Sequence, residues 1–304
     1  MGAPPTTAYL LTYRKEKCTA NCGFCPQARS SQGRSDMLSR VSWPVFPTSQ
    51  VIESLDRSFK LGSIRRVCLQ ALNYPGVFRH LTAIAEEIEG TPISVSCQPL
   101  DPVNLKRLVK AGVERIGIPL DAATEEIFEK IKGSLVGGPY VWEEQFRILR
   151  KAVEVFGKNM VSTHLIVGLG ETENEMVETI QRCVNMGVLP ALFAFTPIPG
   201  TSLENKSPPS IPVYRRIQVA RHLIFNEITR YENVSFDEEG RIRGFDAVEK
   251  EVLSQIIHSG KPFLTTGCPD CNRPYYNEKP RGPIYNYPRP LTEKELNLGD
   301  IFQY

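Results

Sequence analysis

Three cysteines near the amino terminus have the spacing of a metal-binding site. They are Cys18, Cys22 and Cys25 in the segment CTANCGFCPQARSS, and the aromatic residue Phe24 directly precedes the last of them. Three thiolates can bind three irons of a four-iron cubane, and the fourth iron then keeps an open coordination position. The pattern therefore predicts a catalytic iron–sulfur cluster that can chelate a substrate or cofactor. A zinc site completed by a fourth residue, or three core cysteines, are the alternatives.

The chain has five further cysteines, and its first residues have too short an apolar run for a signal peptide. We therefore expect a cytosolic protein whose cysteines are metal ligands or core residues rather than disulfides. Cys268 and Cys271 form a CxxC pair that suits a shared iron–sulfur or zinc site, or a reactive dithiol. Cys68 and Cys97 lie in two predicted strands, and Cys183 is interpreted as a buried apolar residue.

Between residues 8 and 260 the sequence alternates short β-rich runs with longer amphipathic stretches, which is typical of repeated βα units. Strands are predicted at residues 8–13, 63–70, 93–98, 115–120, 161–168, 189–195 and 233–237. Helices are predicted at residues 48–61, 77–89, 101–111, 124–132, 142–156, 172–186 and 211–231. Nothing signals a reversal of strand order, so the pattern favours an α/β fold of the TIM-type (β/α) barrel class over an open doubly wound sheet.

The composition changes after residue 260 to a segment rich in Pro, Tyr and Asn, with no helical or strand period. We predict a barrel over residues 1–262 and an irregular, cysteine-containing tail over residues 263–304 that packs on it. In such a barrel the loops that follow the strands form the catalytic face. The loop of Cys18 follows the first strand, so the predicted cluster belongs at the mouth of the barrel.

The overall charge gives no sign of a nucleic-acid partner. Lys and Arg number 36 against 34 acidic residues, for a formal charge of +2. No run of about 18 apolar residues occurs, so we expect no membrane span.

The CxxxCxxC spacing with Phe24 before the last cysteine closely resembles the signature of the radical S-adenosylmethionine (radical SAM) superfamily. The resemblance implies a [4Fe-4S] cluster on Cys18, Cys22 and Cys25, which would be the catalytic residues. Its open iron would bind the amino and carboxyl groups of S-adenosylmethionine. One electron would then cleave the S–C5′ bond and give a 5′-deoxyadenosyl radical, which abstracts hydrogen from unactivated carbon.

Over roughly residues 8–265 the chain resembles biotin synthase and its relatives, in the segments RRVCLQALNYPG, ISVSCQPLD, AGVERIGIPLDAATEEIFEKI and HLIVGLGETENEM. By this likeness the backbone after Cys68 would meet the methionine end of S-adenosylmethionine, Asp121 the ribose hydroxyls, and the IVGLGET run the adenine. Asp121 could equally cap a helix, and the glycines could be turn residues. The cofactor-binding residues implied are Phe24, Ala71, Leu72, Asn73, Asp121, His164, Val167, Gly168 and Leu169.

The likeness to biotin synthase extends to part of a second cluster. Cys68 and Cys97 match two ligands of the [2Fe-2S] cluster of that family, but Ser162 stands where it has a third cysteine and Ser235 where it has an arginine. The tail CxxC pair is present instead. We therefore predict that Cys68, Cys97 and the tail pair form the ligands of an auxiliary iron–sulfur cluster, expected to be [4Fe-4S].

A biotin-synthase-like barrel with a CPxCNRPYYNE-type tail resembles a subunit of the two-component lipoyl synthases found mainly in archaea and some bacteria. The resemblance implies a sulfurtransferase that inserts sulfur from its auxiliary cluster into an octanoyl chain, at C6 or C8. The implied partners are a sister radical SAM subunit, an octanoylated lipoyl carrier domain and an electron donor such as ferredoxin. Another biotin-synthase-like enzyme (a biotin synthase, mutase or lyase) and a non-catalytic zinc-binding scaffold are the alternatives.

Overall fold

The computed structural model describes residues 2–98, 101–274, 276–278 and 282–296. Six strands form one parallel sheet, and four short strands form two hairpins outside it. The strands are β1 (Thr7–Leu11), β2 (Met37–Leu38), β3 (Val41–Ser42), β4 (Arg66–Gln70), β5 (Ile93–Ser96), β6 (Val113–Gly117), β7 (Val161–Val167), β8 (Val188–Ala194), β9 (Val234–Phe236) and β10 (Ile242–Phe245).

Helices follow the strands of the sheet at nearly all the predicted positions. They are α1 (Thr48–Lys60), α2 (Val77–Glu86), α3 (Pro102–Lys110), α4 (Glu125–Ile131), α5 (Trp142–Phe156), α6 (Glu173–Asn185), α7 (Ile211–Phe225), α8 (Lys250–His258) and α9 (Glu293–Leu296). Short 3₁₀ turns occupy Ser134–Val136, Tyr231–Asn233 and Lys261–Phe263. Within the described part of the chain, no helix is long and apolar enough to cross a membrane.

The parallel sheet has the strand order β1-β4-β5-β6-β7-β8, which follows the order along the chain and confirms the barrel class. Alternate residues of each strand face the outer helices or an inner cavity of about 240 Å³. Every strand of the sheet contributes to the lining of that cavity, so the sheet curves around it. The contributing residues include Tyr9, Cys68, Ser94, Gly117, His164 and Phe193.

The seventh predicted strand, residues 233–237, does not join the sheet. Its residues form β9, which pairs antiparallel with β10 in a separate hairpin. The turn DEEG after β9 reverses the chain, and the Asp237 N–H donates to the carbonyl of Arg241 (3.0 Å). A local hairpin thus replaces pairing with β8. Ser235, which we aligned with a lumen-lining ligand position, lies in this hairpin, so that alignment is wrong.

The sheet is open between β1 and β8, since no pairing joins these two edges in the described residues. The tail crosses this opening. Leu192 N–H on β8 donates to Thr266 Oγ1 (2.9 Å), and Thr7 Oγ1 on β1 donates to the carbonyl of Asp270 (2.8 Å). The tail therefore packs on the barrel as predicted and closes its open side. The exact division into two domains at residue 262 stays a prediction.

Candidate active site

The three amino-terminal cysteines lie in the loop that follows β1, and all three line the cavity. The loop is held by its own backbone: Cys18 N–H donates to the carbonyl of Gln27 (3.0 Å), and Cys25 N–H donates to that of Cys22 (3.0 Å). Asn73 N–H, from the end of the neighbouring strand, donates to Cys18 Sγ (3.1 Å). The loop thus presents three sulfurs to one space. Phe24 lines the same space.

Burial disfavours ionisation of two of these thiols, those of Cys22 and Cys25. It raises the pKa of Cys25 to about 12 and raises that of Cys22 as well. The nearby Lys132 ammonium acts in the opposite direction on Cys22, and the other two cysteines oppose its ionisation. Metal binding to these sulfurs would keep them deprotonated.

The loop after β8 holds the cysteine loop in place from the other side. Ser202 Oγ donates to the carbonyl of Gly23 (3.0 Å), and Gly33 N–H donates to the carbonyl of Gly200 (3.2 Å). Gly200 has φ 80°, and a Cβ there would collide with the Gly33 backbone. Only glycine fits this close approach. The segment FTPIPGTSLE therefore positions the cysteine loop.

Asp121, expected to contact ribose hydroxyls, lies on the cavity wall in an unusual backbone conformation. Its φ is 69°, which is uncommon for a residue with a side chain, and its N–H donates to the carbonyl of His164 (2.8 Å). Its Oδ2 lies 2.6 Å from the Nζ of Lys132, and both side chains are almost completely buried. Lys132 also donates to the carbonyl of Pro119 and lies over the Tyr140 ring. One carboxylate oxygen is thus committed to the lysine.

The sequence reasoning missed Lys132. The residue follows α4 and resembles an ordinary lysine near a helix end. Its burial depends on how α4 packs, which no local pattern reveals.

Ala71, Leu72 and Asn73 all line the cavity. Their N–H groups are already used: Ala71 donates to the Ser96 carbonyl (2.9 Å), Leu72 to Thr12 Oγ1 (3.0 Å) and Asn73 to a thiol. Any ligand contact with this segment would therefore use carbonyl oxygens or side chains. Carbonyl oxygens suit an amino group, which needs acceptors.

Val167, Gly168 and Leu169, expected beside an adenine, do not line the cavity. Val167 alternates with His164 and Ile166 and faces the outer core. The N–H groups of the two residues after it donate to the carboxylate of Glu171, at 2.6 and 2.9 Å. A Cβ on Gly168 would lie 2.8 Å from Pro209. The structure thus shows this run as a turn packed against the protein itself.

His164 faces the cavity, and its ring centroid lies 4.7 Å from that of Phe193. Burial, together with the positive charges of Arg273 and Lys132, lowers the pKa of His164 to about 3. The imidazole is therefore neutral at ordinary pH and can serve as a hydrogen-bond partner rather than as a cation.

Three of the four cysteines predicted for an auxiliary site come together. Cys68 lies on β4 between Tyr9 and Ser94 of the adjacent strands. The Tyr9 hydroxyl lies 3.5 Å from Cys271 Sγ, and the Ser94 hydroxyl donates to Cys268 Sγ (3.2 Å). Burial raises the pKa of Cys68, and the two tail cysteines raise it further. A strand and the tail thus bring three thiols to the same part of the cavity wall.

Cys97, the fourth predicted member, lies apart from them. It borders the cavity but is 2% exposed within the apolar core, and burial alone raises its pKa to about 12. It lies three residues beyond Ser94, the β5 residue that pairs with Cys68. Cys183 is also fully buried in the core.

No three or more His, Cys, Asp or Glu side chains in the described ranges close around a single metal ion. A cubane requires something different, because each thiolate binds its own iron. Separate sulfurs around one open space are compatible with such a cluster.

Comparison with known proteins identifies the family. The family model of the radical SAM superfamily matches residues 14–183 of this chain, a range that contains the cysteine loop. The chain belongs to the radical SAM superfamily. Membership implies a [4Fe-4S] cluster and S-adenosylmethionine, and the three thiols that line the cavity have the chemistry to hold such a cluster. When bound, this pair of groups supplies the radical that removes hydrogen from carbon.

Curated relatives of this radical SAM protein are only distantly similar. A biotin synthase of Aquifex aeolicus (strain VF5) is 23% identical over 275 residues, covering 88% of this chain and 77% of that protein. A biotin synthase of Rhodopseudomonas palustris (strain BisB18) is 26% identical over 223 residues, covering 70% of this chain and 58% of that protein.

Solved structures share the fold. The FeFe-hydrogenase maturase HydG from Carboxydothermus hydrogenoformans has a TM-score of 0.54 at 17% identity, covering 73% of this chain. Methylornithine synthase (PylB) has a TM-score of 0.53 at 15% identity, also covering 73% of this chain. The chain spans 52% of the HydG structure and 63% of the PylB structure. At these identities the likeness shows the radical SAM barrel alone.

Proposed function

We propose that this radical SAM enzyme inserts sulfur into unactivated C–H bonds of a protein-bound octanoyl chain, as one component of a two-component lipoyl synthase. The observation that carries the proposal is the second set of thiols. Cys68, Cys268 and Cys271 line the same cavity as the cysteine loop. Thiolates suit an auxiliary iron–sulfur cluster, and the sulfide of such a cluster could be donated to substrate carbon.

Part of the cavity wall suits an aliphatic chain. Ala191 and Phe193 of β8 form an apolar cluster with Ile166 of β7 and Tyr276 of the tail. His164 beside them is neutral, so it places no charge against a hydrocarbon. An apolar lining orients a saturated chain by burial, and positioning tolerances for hydrogen transfer are tight.

A second candidate is another biotin-synthase-like activity, that of a biotin synthase, mutase or lyase. The similarity to two biotin synthases favours it. Iron content separates the proposed function from a mutase or lyase, because two clusters support sulfur donation whereas one cluster favours those activities. Thiolation of an octanoylated substrate separates it from a biotin synthase.

The test is an anaerobic assay of the reconstituted protein with S-adenosylmethionine, a reductant such as reduced ferredoxin and an octanoylated lysyl peptide. The carrier domain replaces the peptide in a second series. We expect the chain alone to yield at most a monothiolated product, because one auxiliary cluster serves one carbon at a time. The dithiolated product is expected only when the sister subunit is added, and mass spectrometry distinguishes the two.

A matched pair of variants sharpens this assay. Cys271→Ser should abolish sulfur incorporation and leave 5′-deoxyadenosine formation intact, whereas Cys183→Ser, in the core, should change neither the sulfur transfer nor the cleavage. Complete lipoyl formation by the chain alone would exclude the two-component arrangement. An unmodified peptide in the presence of the sister subunit and two clusters would exclude the substrate class.

A further inference from the structure

Arg273 is a half-buried cation beside the second set of thiols. Its Nε is shielded from solvent and has no hydrogen-bond partner. One terminal nitrogen donates to the carbonyl of Thr266, and the guanidinium lies 4.0 Å from the centre of the Phe193 ring. Within the described residues, no carboxylate lies within 4.0 Å of it. An uncompensated charge in such a place is costly unless an anion accompanies it.

The backbone fixes this side chain in the cavity. Arg273 has φ 34°, an uncommon value for a residue with a side chain, and its N–H donates to the Tyr9 hydroxyl (2.9 Å). The same hydroxyl lies 3.5 Å from Cys271 Sγ. Strained backbone persists where surrounding contacts hold it, commonly at functional sites. Arg273 is thus anchored at the thiols.

The groups around Arg273 indicate which anion it meets. Arg273 lines the same cavity as Cys68, Cys268 and Cys271. Its backbone N–H and Cys271 Sγ share one partner, the Tyr9 hydroxyl. The nearby carboxylate of Glu278 already accepts from the backbone N–H groups of Asn277 and Asn286. The thiol sulfurs are therefore the groups that lie beside the free Nε–H.

We propose that Arg273 is the fixed cation of the auxiliary site, which compensates the negative charge of an iron–sulfur cluster held by Cys68, Cys268 and Cys271. Its free Nε–H donates to a sulfur of that cluster. This inference rests on the proposed function, which supplies the auxiliary cluster. Arg273 is a positioning residue here, because it acts through the cluster and not on substrate.

The consequence is a change in reduction potential. Reduction adds negative charge to a cluster, and a nearby cation stabilises the reduced form more than the oxidised form. Loss of Arg273 should therefore shift the potential of the auxiliary cluster to more negative values. The potential of the cluster on the amino-terminal loop should stay unchanged.

The experiment compares Arg273→Met, which removes the charge, with Arg273→Lys, which keeps it. Arg221→Met is the control, because the Arg221 guanidinium likewise lies over an aromatic ring, 4.5 Å from the Phe225 ring centre, and donates to a carbonyl, that of Pro190 (3.0 Å). It does not line the cavity. Full-length reconstituted proteins are titrated anaerobically by electron paramagnetic resonance. In a parallel series all three amino-terminal cysteines are replaced by alanine, so that only the auxiliary cluster gives a paramagnetic resonance signal.

We expect a negative shift in Arg273→Met, a smaller shift in Arg273→Lys and none in Arg221→Met. Loss of the auxiliary cluster in Arg273→Met alone would equally support the proposal. An unchanged potential in Arg273→Met, or an equal shift in Arg221→Met, would overturn it. If the parallel series binds no iron, both this inference and the proposed function fail. If the potentials shift as expected but the octanoyl peptide is never thiolated, only the proposed function fails.

Discussion

Replacement of Lys132 by methionine tests whether the buried ion pair holds Asp121 at the cavity wall. Methionine keeps much of the length and apolar volume of lysine but removes the ammonium. The exposed fractions are 0% for the Lys132 side chain and 7% for that of Asp121, so solvent screens the pair very little. Removing one partner leaves a buried charge uncompensated, which typically costs about 3–5 kcal/mol. We expect a loss of that size in the free energy of unfolding.

The matched control lies two residues away. Lys130 pairs with Glu126 one helical turn before it, and their side chains are 58% and 77% exposed. Exposed pairs of this spacing contribute about 0.3–0.5 kcal/mol. Lys130→Met should therefore change stability by less than about 0.5 kcal/mol. The two lysines differ in burial, so the difference between the variants isolates the buried interaction.

The assay is urea unfolding of the reduced apoprotein, followed by far-ultraviolet circular dichroism. Asp121→Asn completes a double-mutant cycle, and asparagine tolerates the positive φ of this position. The double variant Asp121→Asn, Lys132→Met should be more stable than the sum of the single losses predicts. Strict additivity, or a loss below about 1 kcal/mol in Lys132→Met, would refute the reasoning.

Three further predictions concern the cavity and its loops. Alanine at any one of the three amino-terminal cysteines should abolish 5′-deoxyadenosine formation with the fold retained by circular dichroism; activity in all three variants would contradict the cluster assignment. Gly200→Ala should destabilise the protein by about 1–3 kcal/mol and lower the iron content. Gly62→Ala, with a similar φ of 68° and nothing within 4 Å, should retain full iron. Because the pKa of His164 is about 3 when folded, below its ordinary value, its contribution to stability is lost as pH falls below about 6.5. His164→Gln should flatten the fall in urea midpoint between about pH 7 and pH 5, and equal slopes for both proteins would contradict this.

The local sequence pattern was sufficient to predict most strands and helices of the barrel. Six of the seven predicted strands join the sheet, because parallel strands buried on both sides read as short apolar runs. Residues 233–237 have the same composition but return through a turn to pair with β10. The residue pattern of a strand does not show which other strand it pairs with. The helix α8, which has no buried residue, carried too weak a signal to be predicted.

Position along the strand explains the separation of Cys97 from the other thiols. Cys68 pairs with Ser94 of β5, and Cys97 lies three residues further along, beyond the end of that strand. At about 3.3 Å per residue, the two positions differ by about 10 Å along the sheet. Family likeness matched the two cysteines by the strand ends near which they lie and did not account for this offset.

The burial of Lys132 could not be predicted. Its ammonium pairs with Asp121, 11 residues earlier in the chain, and nothing in the neighbouring residues marks it as buried. Arg273 stands beside the CxxC pair of the tail, but its contact with the Phe193 ring depends on how the tail crosses the barrel. In both cases tertiary packing, which local pattern does not show, determines the partner.

The tail has a double role that links closure of the barrel to assembly of the second thiol site. Hydrogen bonds from β1 and β8 to the tail close the open side of the sheet. The same segment brings Cys268, Cys271 and Arg273 to Cys68, which by itself is one thiol on a strand. If an anionic cluster binds where these groups meet, its binding free energy would stabilise the docked tail. Closure of the barrel by the tail and occupancy of the second thiol site would then be one equilibrium.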